Sequence, residues 1–307
     1  MKQFVSINDA TTEDLLHILE VARRLRQQRE DGVGNEPVLG GQTLAMIFEK
    51  PSLRTRVSFE QAMYELGGNA IVLSQAEVGV GQRESVADVA RVLSGMVHGI
   101  AARVFDHERL LALSRHSEVP VINMLSDLSH PCQALADMMS IMDEFGLDLS
   151  GRTIAFVGDG NNVARSLAMF CGKLGVNFIL ASPPDYSLEQ EFADRVMSFV
   201  PGMNFTMTHD PVEAVRYADV IYTDTFVSMG QESQKSNRLS AFEGFQLNKQ
   251  LLTMAPSHAI VLHCLPAYRG VEITDEVIDG SNSRVFPQSH NRLHAQKGLL
   301  AVLMGGF

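Results

Sequence analysis

Short apolar runs alternate with amphipathic segments along the whole chain, and this alternation predicts its secondary structure. Runs of strand length occur at residues 43–48, 70–73, 100–105, 119–124, 153–157, 178–181, 204–208, 220–223 and 259–263. Apolar residues at helical spacing fill many of the intervals, including residues 12–29, 85–97, 108–114, 131–145 and 295–303. Strands that alternate with helices predict parallel sheets covered on both faces. We therefore expect an α/β fold with doubly wound parallel sheets.

The alternation restarts after residues 147–152, where a polar turn precedes a strongly apolar strand. A chain of 307 residues is long enough for two domains with separate cores. We predict one domain at residues 1–148 and a second at residues 149–291, with the last helix, about 292–307, packing back on the first. Ligands of such sheets bind beyond the carboxyl ends of the strands, so the segments that follow the strands hold the candidate site residues.

Composition and charge limit the classes of function. A net charge of -11 argues against nucleic acid and membrane partners, which need a basic surface. The three cysteines, Cys132, Cys171 and Cys264, form neither a disulfide framework nor a metal-binding pattern. The first nine residues lack the features of a signal peptide, and the apolar runs are too short to span a bilayer, so we expect a cytoplasmic protein.

Hydroxyl and guanidinium groups concentrate where the strand at 43–48 leads into a helix. Ser52, Arg54, Thr55 and Arg56 lie within five residues of one another. Free helix N–H groups, the positive end of the helix dipole, hydroxyls and guanidinium groups together bind phosphate. A capped surface helix with its arginines in solvent is the alternative, but the density of donors favours an oxyanion site.

Further candidate donors lie inside one later strand, after another, and at the start of the last predicted helix. A charge at Arg103, inside an apolar strand, needs an anionic partner, and the predicted phosphate site favours a ligand over a nearby carboxylate. His130 and Gln133 are three residues apart and can donate to one carbonyl oxygen, although a histidine that only caps the helix is equally compatible. Arg292, at the predicted start of the last helix, is another donor to an anion or a carbonyl group.

The turn after the strand at 153–157 superficially resembles a dinucleotide-binding fingerprint, which makes a dehydrogenase the alternative of a different reaction class. However, Val163 occupies the place of the third glycine, and no acidic residue follows the next strand to bind a ribose. Asn161 and Asn162 instead place amides where a small polar substrate could be bound, and one of them could simply cap the helix.

Two loops in the second half carry groups suited to an amino-acid substrate. Asp224 follows a strand and is a plausible counter-ion for an α-amine. The loop from residue 224 to 238 is rich in serine and glutamine, as in a mobile flap, although a plain solvated loop fits equally. His263 and Cys264 are adjacent on a strand and point to opposite faces, so they are not an acid–base dyad, and we expect Cys264 to have a positioning role.

Taken together, these stretches resemble the carbamoyltransferase family, and in particular its ornithine-specific branch, over the whole chain and in the same order. Ser-Leu-Arg-Thr-Arg at 52–56 resembles the family's Ser-Thr-Arg-Thr-Arg motif, and His-Pro-Cys-Gln at 130–133 matches His-Pro-x-Gln. The segments 224–230 and 263–266 are similar to the two signatures of the ornithine branch. The chain departs from the pattern at Gly79, where many relatives have a glutamine, and Gln82 lies close by in the sequence.

The resemblance implies transfer of the carbamoyl group of carbamoyl phosphate to the δ-amine of L-ornithine, giving L-citrulline and phosphate. It implies an active site in the cleft between the domains, no metal, no organic cofactor, and a homo-oligomer, expected to be a trimer. Arginine biosynthesis is the expected role. Two further interpretations stay open, namely a carbamoyltransferase for another amine, such as putrescine or an acylated ornithine, and a non-enzymatic amino-acid-binding scaffold.

The resemblance also assigns residues. Carbamoyl phosphate is expected to contact Ser52, Leu53, Arg54, Thr55, Arg103, His130, Gln133, Cys264, Leu265 and Arg292, with Gln82 reaching in from a neighbouring subunit. Ornithine is expected to contact Asn162, Asp224, Ser228 and Met229. The residues expected to act in catalysis are Arg54, Thr55, Arg103, His130 and Cys264.

Overall fold

The structure is a computed structural model that describes residues 1–79, 83–228 and 230–307. The chain divides into two compact units, Met1–Met139 with His290–Phe307, and Ser140–Ser289. Within the described part of the chain, none of the helices combines the length and the hydropathy that crossing a membrane requires.

The first unit is built on a four-stranded parallel sheet with the strand order β2-β1-β3-β4. Its strands are Thr43–Phe48 (β1), Asn69–Ser74 (β2), Gly99–Arg103 (β3) and Val121–Leu125 (β4). The helices along this part of the chain are Thr12–Glu30 (α1), Leu53–Glu65 (α2), Gln75–Val78 (α3), Val86–Ser94 (α4), His107–His116 (α5) and Pro131–Phe145 (α6). Because β1 and β3 are almost entirely buried, they read as continuous apolar runs in the sequence.

The second unit is built on a five-stranded parallel sheet with the strand order β7-β6-β5-β8-β9. Its strands are Thr153–Val157 (β5), Asn177–Ala181 (β6), Phe205–Thr208 (β7), Val220–Thr223 (β8) and Ile260–His263 (β9). The remaining helices are Asn162–Leu174 (α7), Gln190–Met197 (α8), Pro211–Val215 (α9), Lys235–Ala241 (α10), Lys249–Leu252 (α11), Asp275–Ile278 (α12) and Val285–Met304 (α13).

The strand orders explain where ligands can bind. In the first sheet the chain leaves β1 towards β2 on one side and later adds β3 on the other, so the direction of winding switches between β1 and β3. In the second sheet the same switch lies between β5 and β8. A crevice forms beyond the carboxyl ends of the strands at such a switch point. The segments after β1, β3, β5 and β8 therefore lie where a ligand would bind.

The expected α/β architecture with two doubly wound parallel sheets is confirmed. The predicted start of the last helix, between residues 292 and 295, is wrong, because α13 already begins at Val285. Pro287 lies in its first turn, where a proline needs no N–H partner, and the polar residues that follow resemble a loop in the sequence. Further along α13, a β-carbon on Gly298 would lie 2.4 Å from the Ile18 carbonyl oxygen, so α13 rests directly on α1.

Candidate active site

The segment after β1 forms a capped helix start, as the sequence predicts. Ser52 is the N-cap residue of α2, and its hydroxyl accepts a hydrogen bond from the Thr55 N–H (3.4 Å) and donates one to the Thr55 hydroxyl oxygen (3.0 Å). Thr55 is buried, with 1% of its surface exposed, whereas the side chain of Leu53 is exposed. At Leu53, only the backbone N–H at the positive end of the helix is in a position to serve an anion site.

The two arginines of this segment separate. Arg54 is half-buried, whereas Arg56 is exposed and forms an ion pair with Glu60 at 3.2 Å. Residues two apart on an α-helix point to nearly opposite sides, so one helix start cannot direct both guanidinium groups to one ligand. The expectation that both arginines serve the anion site is therefore wrong for Arg56.

A second pair of cations lies beside this helix start. Arg103 is the last residue of β3, pairs in register with Phe48 of β1, and is 8% exposed. Lys50 follows β1, is buried as well, and places its ammonium group 4.5 Å from the centre of the Phe105 ring. Both cations are thus held at the carboxyl ends of the two strands between which the winding switches, where an anionic ligand of this sheet would bind.

Arg292 joins these groups from α13. Its Nη1 donates to Oε1 of Gln133 (2.7 Å) and its Nη2 donates to the hydroxyl oxygen of Thr55 (3.4 Å). The Gln133 amide is oriented by this contact, because its Nε2 donates to the carboxylate of Asp137 at 2.8 Å, one helical turn away. Arg292 lies inside α13, so its place in the site comes from these contacts and not from a helix start.

His130 lies just before α6 and is buried, with 5% of its surface exposed. Burial is the largest cause that holds the pKa of His130 well below its usual 6.5. Nearby positive charges lower this pKa further, in decreasing order those of Arg292, Arg103, Lys50 and Arg54. The imidazole is therefore neutral at pH 7 and keeps one N–H donor. We call Lys50, Ser52, Arg54, Thr55, Arg103, His130, Gln133 and Arg292 the cation cluster. An electropositive pocket with neutral donors suits a phosphate attached to a carbonyl group.

The second unit gathers a different set of groups around Asp224, which follows β8. Its Oδ1 accepts hydrogen bonds from the Thr225 N–H (2.8 Å) and the Cys264 thiol (3.0 Å), and its Oδ2 accepts one from Nδ2 of Asn161 (2.8 Å). Asn161 in turn caps α7, because its Oδ1 accepts from the N–H groups of Val163 and Ala164. The orientation of the carboxylate is thus fixed by three donors, at a place where a cationic ligand could pair with it.

The structure describes two of the other residues predicted to bind ornithine, Asn162 and Ser228. Asn162 is the first residue of α7, and its carbonyl oxygen accepts from the Ser166 hydroxyl. The backbone N–H of Ser228 donates to Oε1 of Gln231 at 3.0 Å, within the predicted flap. Met229 and Gln82 lie outside the described residues.

An ion pair lies beside this set of groups. Asp159, after β5, pairs with the buried guanidinium group of Arg238, whose Nε also donates to the Phe226 carbonyl oxygen at 2.6 Å. Burial raises the pKa of Asp159 to about 6, against the lowering effect of Arg238. Arg238 thereby ties α10 to the loop that follows β8.

The turn after β9 has an unusual backbone. Leu265 has a positive φ of 56°, and the peptide bond to Pro266 is cis. A left-handed conformation costs a leucine about 1–2 kcal/mol. Cys264 points to Asp224, while His263 is fully buried and contacts other groups, so the prediction that the two are not an acid–base dyad agrees with their hydrogen bonds. We call Asn161, Asn162, Asp224, Cys264 and Leu265 the carboxylate cluster.

Asp224, His263 and Cys264 also carry potential metal ligands within 4.8 Å of one another. A metal ion here would need a nitrogen of His263, but Nδ1 already accepts from the Leu265 N–H (2.8 Å) and Nε2 contacts Glu272 (3.2 Å). The hydrogen bonds of the histidine therefore favour a structural role over metal binding.

The glycine turn after β5 does not fit the dinucleotide alternative. A β-carbon at Gly160 would lie 2.9 Å from the Tyr186 carbonyl oxygen, so this glycine allows close packing of the chain on itself. The Asn161 side chain occupies the N–H groups at the start of α7. A pyrophosphate would need those N–H groups for itself.

Sequence reasoning missed two residues, Lys50 and Asp137, and one contact, between Asn161 and Asp224, that the structure brings into or beside these clusters. Lys50 precedes the Ser-Leu-Arg-Thr-Arg motif by two residues, and its position soon after a buried strand could have identified it as a candidate for the anion site. Asp137 lies one helical turn after Gln133, which was also detectable. The bond between Asn161 and Asp224 joins residues 63 positions apart, and nothing local in the sequence indicates it.

Comparison with known proteins gives a consistent result for both units. Residues 2–143 match the family model described as the aspartate/ornithine carbamoyltransferase carbamoyl-P binding domain, and residues 150–303 match the model of the Asp/Orn binding domain. The chain is 46% identical over 305 residues to an ornithine carbamoyltransferase of Bacillus subtilis, which covers 99% of this chain and 94% of that protein.

Two comparisons with proteins of Pyrococcus furiosus indicate the same family. The chain is 47% identical over 308 residues to a protein named "Ornithine carbamoyltransferase, anabolic", covering 99% of this chain and 97% of that one. A solved ornithine carbamoyltransferase from the same organism superposes with a TM-score of 0.96 at 46% identity, covering 100% of this chain and 98% of the other.

Proposed function

We propose, from the fact that the chain belongs to the aspartate/ornithine carbamoyltransferase family, that it transfers the carbamoyl group of carbamoyl phosphate to the δ-amine of L-ornithine. The products are L-citrulline and phosphate. The observation that carries the proposal is the cation cluster around a neutral His130, which lies in the part of the chain matched by the carbamoyl-P binding model. The names of the relatives support ornithine as the acceptor.

In the first step, the phosphate group of carbamoyl phosphate binds at the start of α2. The hydroxyls of Ser52 and Thr55, the backbone N–H of Leu53 and the guanidinium groups of Arg54 and Arg103 hold its oxygens. Because several buried cations converge here, a phosphate group is attracted to this place more strongly than to an exposed surface.

The carbamoyl group is then polarised by donors. Thr55, Arg103 and the neutral N–H of His130 point their hydrogens at the carbamoyl oxygen, while Gln133 binds the carbamoyl amide and Arg292 holds Gln133 in place. Negative charge develops on that oxygen when the amine attacks. Removing one such donor costs on the order of a hundredfold in rate.

Ornithine binds through the carboxylate cluster. Its α-ammonium group pairs with Asp224 and Ser228, and its α-carboxylate contacts Asn162. Asp224 supports this assignment against acylated ornithine, whose α-nitrogen carries no positive charge, whereas putrescine keeps that ammonium group and lacks the α-carboxylate assigned to Asn162. The Cys264 thiol and the Leu265 carbonyl group orient the δ-amine.

The bond changes balance without a protein base. The neutral δ-nitrogen forms a bond to the carbamoyl carbon, the bond from that carbon to the phosphate oxygen breaks, and phosphate leaves with the electron pair. The departing phosphate accepts the proton of the amine. The chain thus contributes orientation and charge stabilisation, and the leaving group completes the proton balance.

We also propose a homotrimer and a role in arginine biosynthesis. Exposed apolar side chains along α2, namely Leu53, Val57 and Tyr64, support an interface between copies of the chain. The glutamine expected to reach a neighbour's phosphate site is Gln82. The word anabolic in the name of one relative supports the biosynthetic direction. Light scattering of the purified protein at micromolar concentration measures the assembly.

The test is product formation from carbamoyl phosphate with ornithine, putrescine, N-acetylornithine and aspartate, each offered separately. Citrulline from ornithine alone is the expected result, and an Arg54→Met variant should lose it. Turnover only with another amine would reassign the carboxylate cluster. No turnover, with no phosphate binding by calorimetry, would leave an amino-acid-binding scaffold, and NADH oxidation would favour the dehydrogenase.

A further inference from the structure

The turn that contains Cys264 and Leu265 has an unusual backbone conformation at Leu265. Among residues 1–79, 83–228 and 230–307, Leu265 is the only residue other than glycine with a positive φ. A bulky residue persists in this conformation only when its surroundings hold it there, and such residues cluster at functional sites. The groups that hold Leu265 are therefore candidates for a role in the site.

Two fully buried side chains close this turn. The Leu265 N–H donates to Nδ1 of His263 (2.8 Å), and Nε2 of His263 contacts Oε1 of Glu272 (3.2 Å). The same Oε1 accepts from the N–H of Tyr268 (2.5 Å). Both ends of the segment 265–268 are thus fixed to one histidine–glutamate pair.

The hydrogen bonds also determine the tautomer of the imidazole. Nδ1 accepts from a backbone N–H, so the proton lies on Nε2, which donates to the carboxylate of Glu272. An acceptor that binds the N–H two residues ahead forms the same ring as an Asx turn, in which asparagine or aspartate plays this part. The histidine can therefore hold the turn as an asparagine would, while its second nitrogen reaches the glutamate.

We propose that His263 and Glu272 are positioning residues that fix the Cys264–Leu265 turn against Asp224. His263 has no exposed surface, so it acts through the turn and touches no substrate. The consequence is a thiol and a carbonyl group set in one orientation before ornithine binds. The part of this inference that concerns ornithine rests on the proposed function.

The experiment compares two amide substitutions of the same residue. His263→Asn keeps an acceptor two residues before the Leu265 N–H and loses the contact with Glu272, whereas His263→Gln loses the short acceptor. Asn282→Ala is the matched control, because it removes hydrogen bonds to the Ser257 and Ala259 carbonyl oxygens beside the opposite end of β9 and leaves the turn alone.

Two readouts are measured on the purified full chain. The first is the rate of alkylation of Cys264 by iodoacetamide, followed by mass spectrometry. Cys132 and Cys171 are fully buried internal references, and burial raises the pKa of the Cys132 thiol to about 12. The second is the KM for ornithine beside the KM for carbamoyl phosphate, with the melting temperature of each variant recorded.

We expect His263→Gln to raise both the alkylation rate of Cys264 and the KM for ornithine about tenfold, because a buried donor loses its partner. The KM for carbamoyl phosphate should stay unchanged, and His263→Asn should stay within about threefold of the parent chain in both readouts. If His263→Gln does not fold, Glu272→Ala, which frees the N–H groups of both His263 and Tyr268, should raise the alkylation rate in its place.

Equal effects of the two amide substitutions would overturn the proposal, and so would a control variant that alters alkylation as strongly as His263→Gln. The alkylation readout does not depend on the reaction. A change in alkylation as expected, in a chain that makes no citrulline, would support the positioning role and refute the proposed function.

Discussion

Two aspartates flank the same buried strand, and comparing them tests the assignment of Asp224. Asp219 precedes β8 and Asp224 follows it, and their exposed fractions are 9% and 7%. Both accept a backbone N–H, from Thr153 and Thr225 respectively. The perturbation is Asp224→Asn, with Asp219→Asn as the control at the opposite end of the strand.

The hydrogen bonds of Asp224 determine how much stability Asp224→Asn loses. An asparagine must turn its NH₂ group either to the Asn161 amide or to the Thr225 N–H, and both of these are donors. Asn161 cannot flip to relieve the clash, because its oxygen caps α7. One unsatisfied buried donor costs about 1–3 kcal/mol of unfolding free energy.

The loss of charge adds a specific effect on ornithine. A hydrogen bond to a charged group contributes about 1.5–3 kcal/mol, which corresponds to a roughly ten- to hundredfold rise in the KM for ornithine. The affinity for carbamoyl phosphate should not change, because that ligand is assigned to the cation cluster. Asp219→Asn should lower stability, since it weakens the contacts with Arg152 and His258, without changing either KM.

The assay has two parts. Urea unfolding gives the loss of stability in each variant, and citrulline formation at varied ornithine concentrations gives KM and kcat. The reasoning is refuted if both aspartate variants raise the KM for ornithine equally, since the effect would then follow from destabilisation. It is refuted as well if Asp224→Asn leaves the KM for ornithine unchanged.

Two further predictions concern the cation cluster. Arg292→Met should weaken carbamoyl phosphate binding roughly tenfold or more, because Thr55 and Gln133 lose a charged donor. The control Arg26→Met, which removes a hydrogen-bond partner of the adjacent Asn291, should leave this binding unchanged. Calorimetry with carbamoyl phosphate measures both affinities, and equal losses in the two variants would contradict the assignment. Because the pKa of His130 is lowered in the folded chain, its contribution to stability is complete above about pH 6.5 and is lost as the pH falls towards the folded value. Unfolding free energies between pH 7 and 5.5 should therefore fall by up to ~1.4 kcal/mol per pH unit more in the parent chain than in His130→Asn, and parallel curves would disprove this.

The sequence by itself determined the sheets and the places where chemistry could occur. The strands predicted at 43–48, 153–157 and 220–223 agree residue for residue with β1, β5 and β8. Buried parallel strands are apolar over their whole length and short, so local composition identifies them. The short motifs that follow these strands could also be recognised in the sequence, because a helix start with hydroxyls and cations is a local feature.

Only the tertiary structure decided which of those groups meet. Arg56 is exposed whereas Lys50 is buried. Arg292 enters the cation cluster from the interior of α13, more than 200 positions from Thr55. Likewise, Asn161 locks Asp224, and Glu272 locks the turn after β9 through His263. These contacts depend on strand order and side-chain direction, which arise when distant segments pack together, and local sequence patterns carry no record of them.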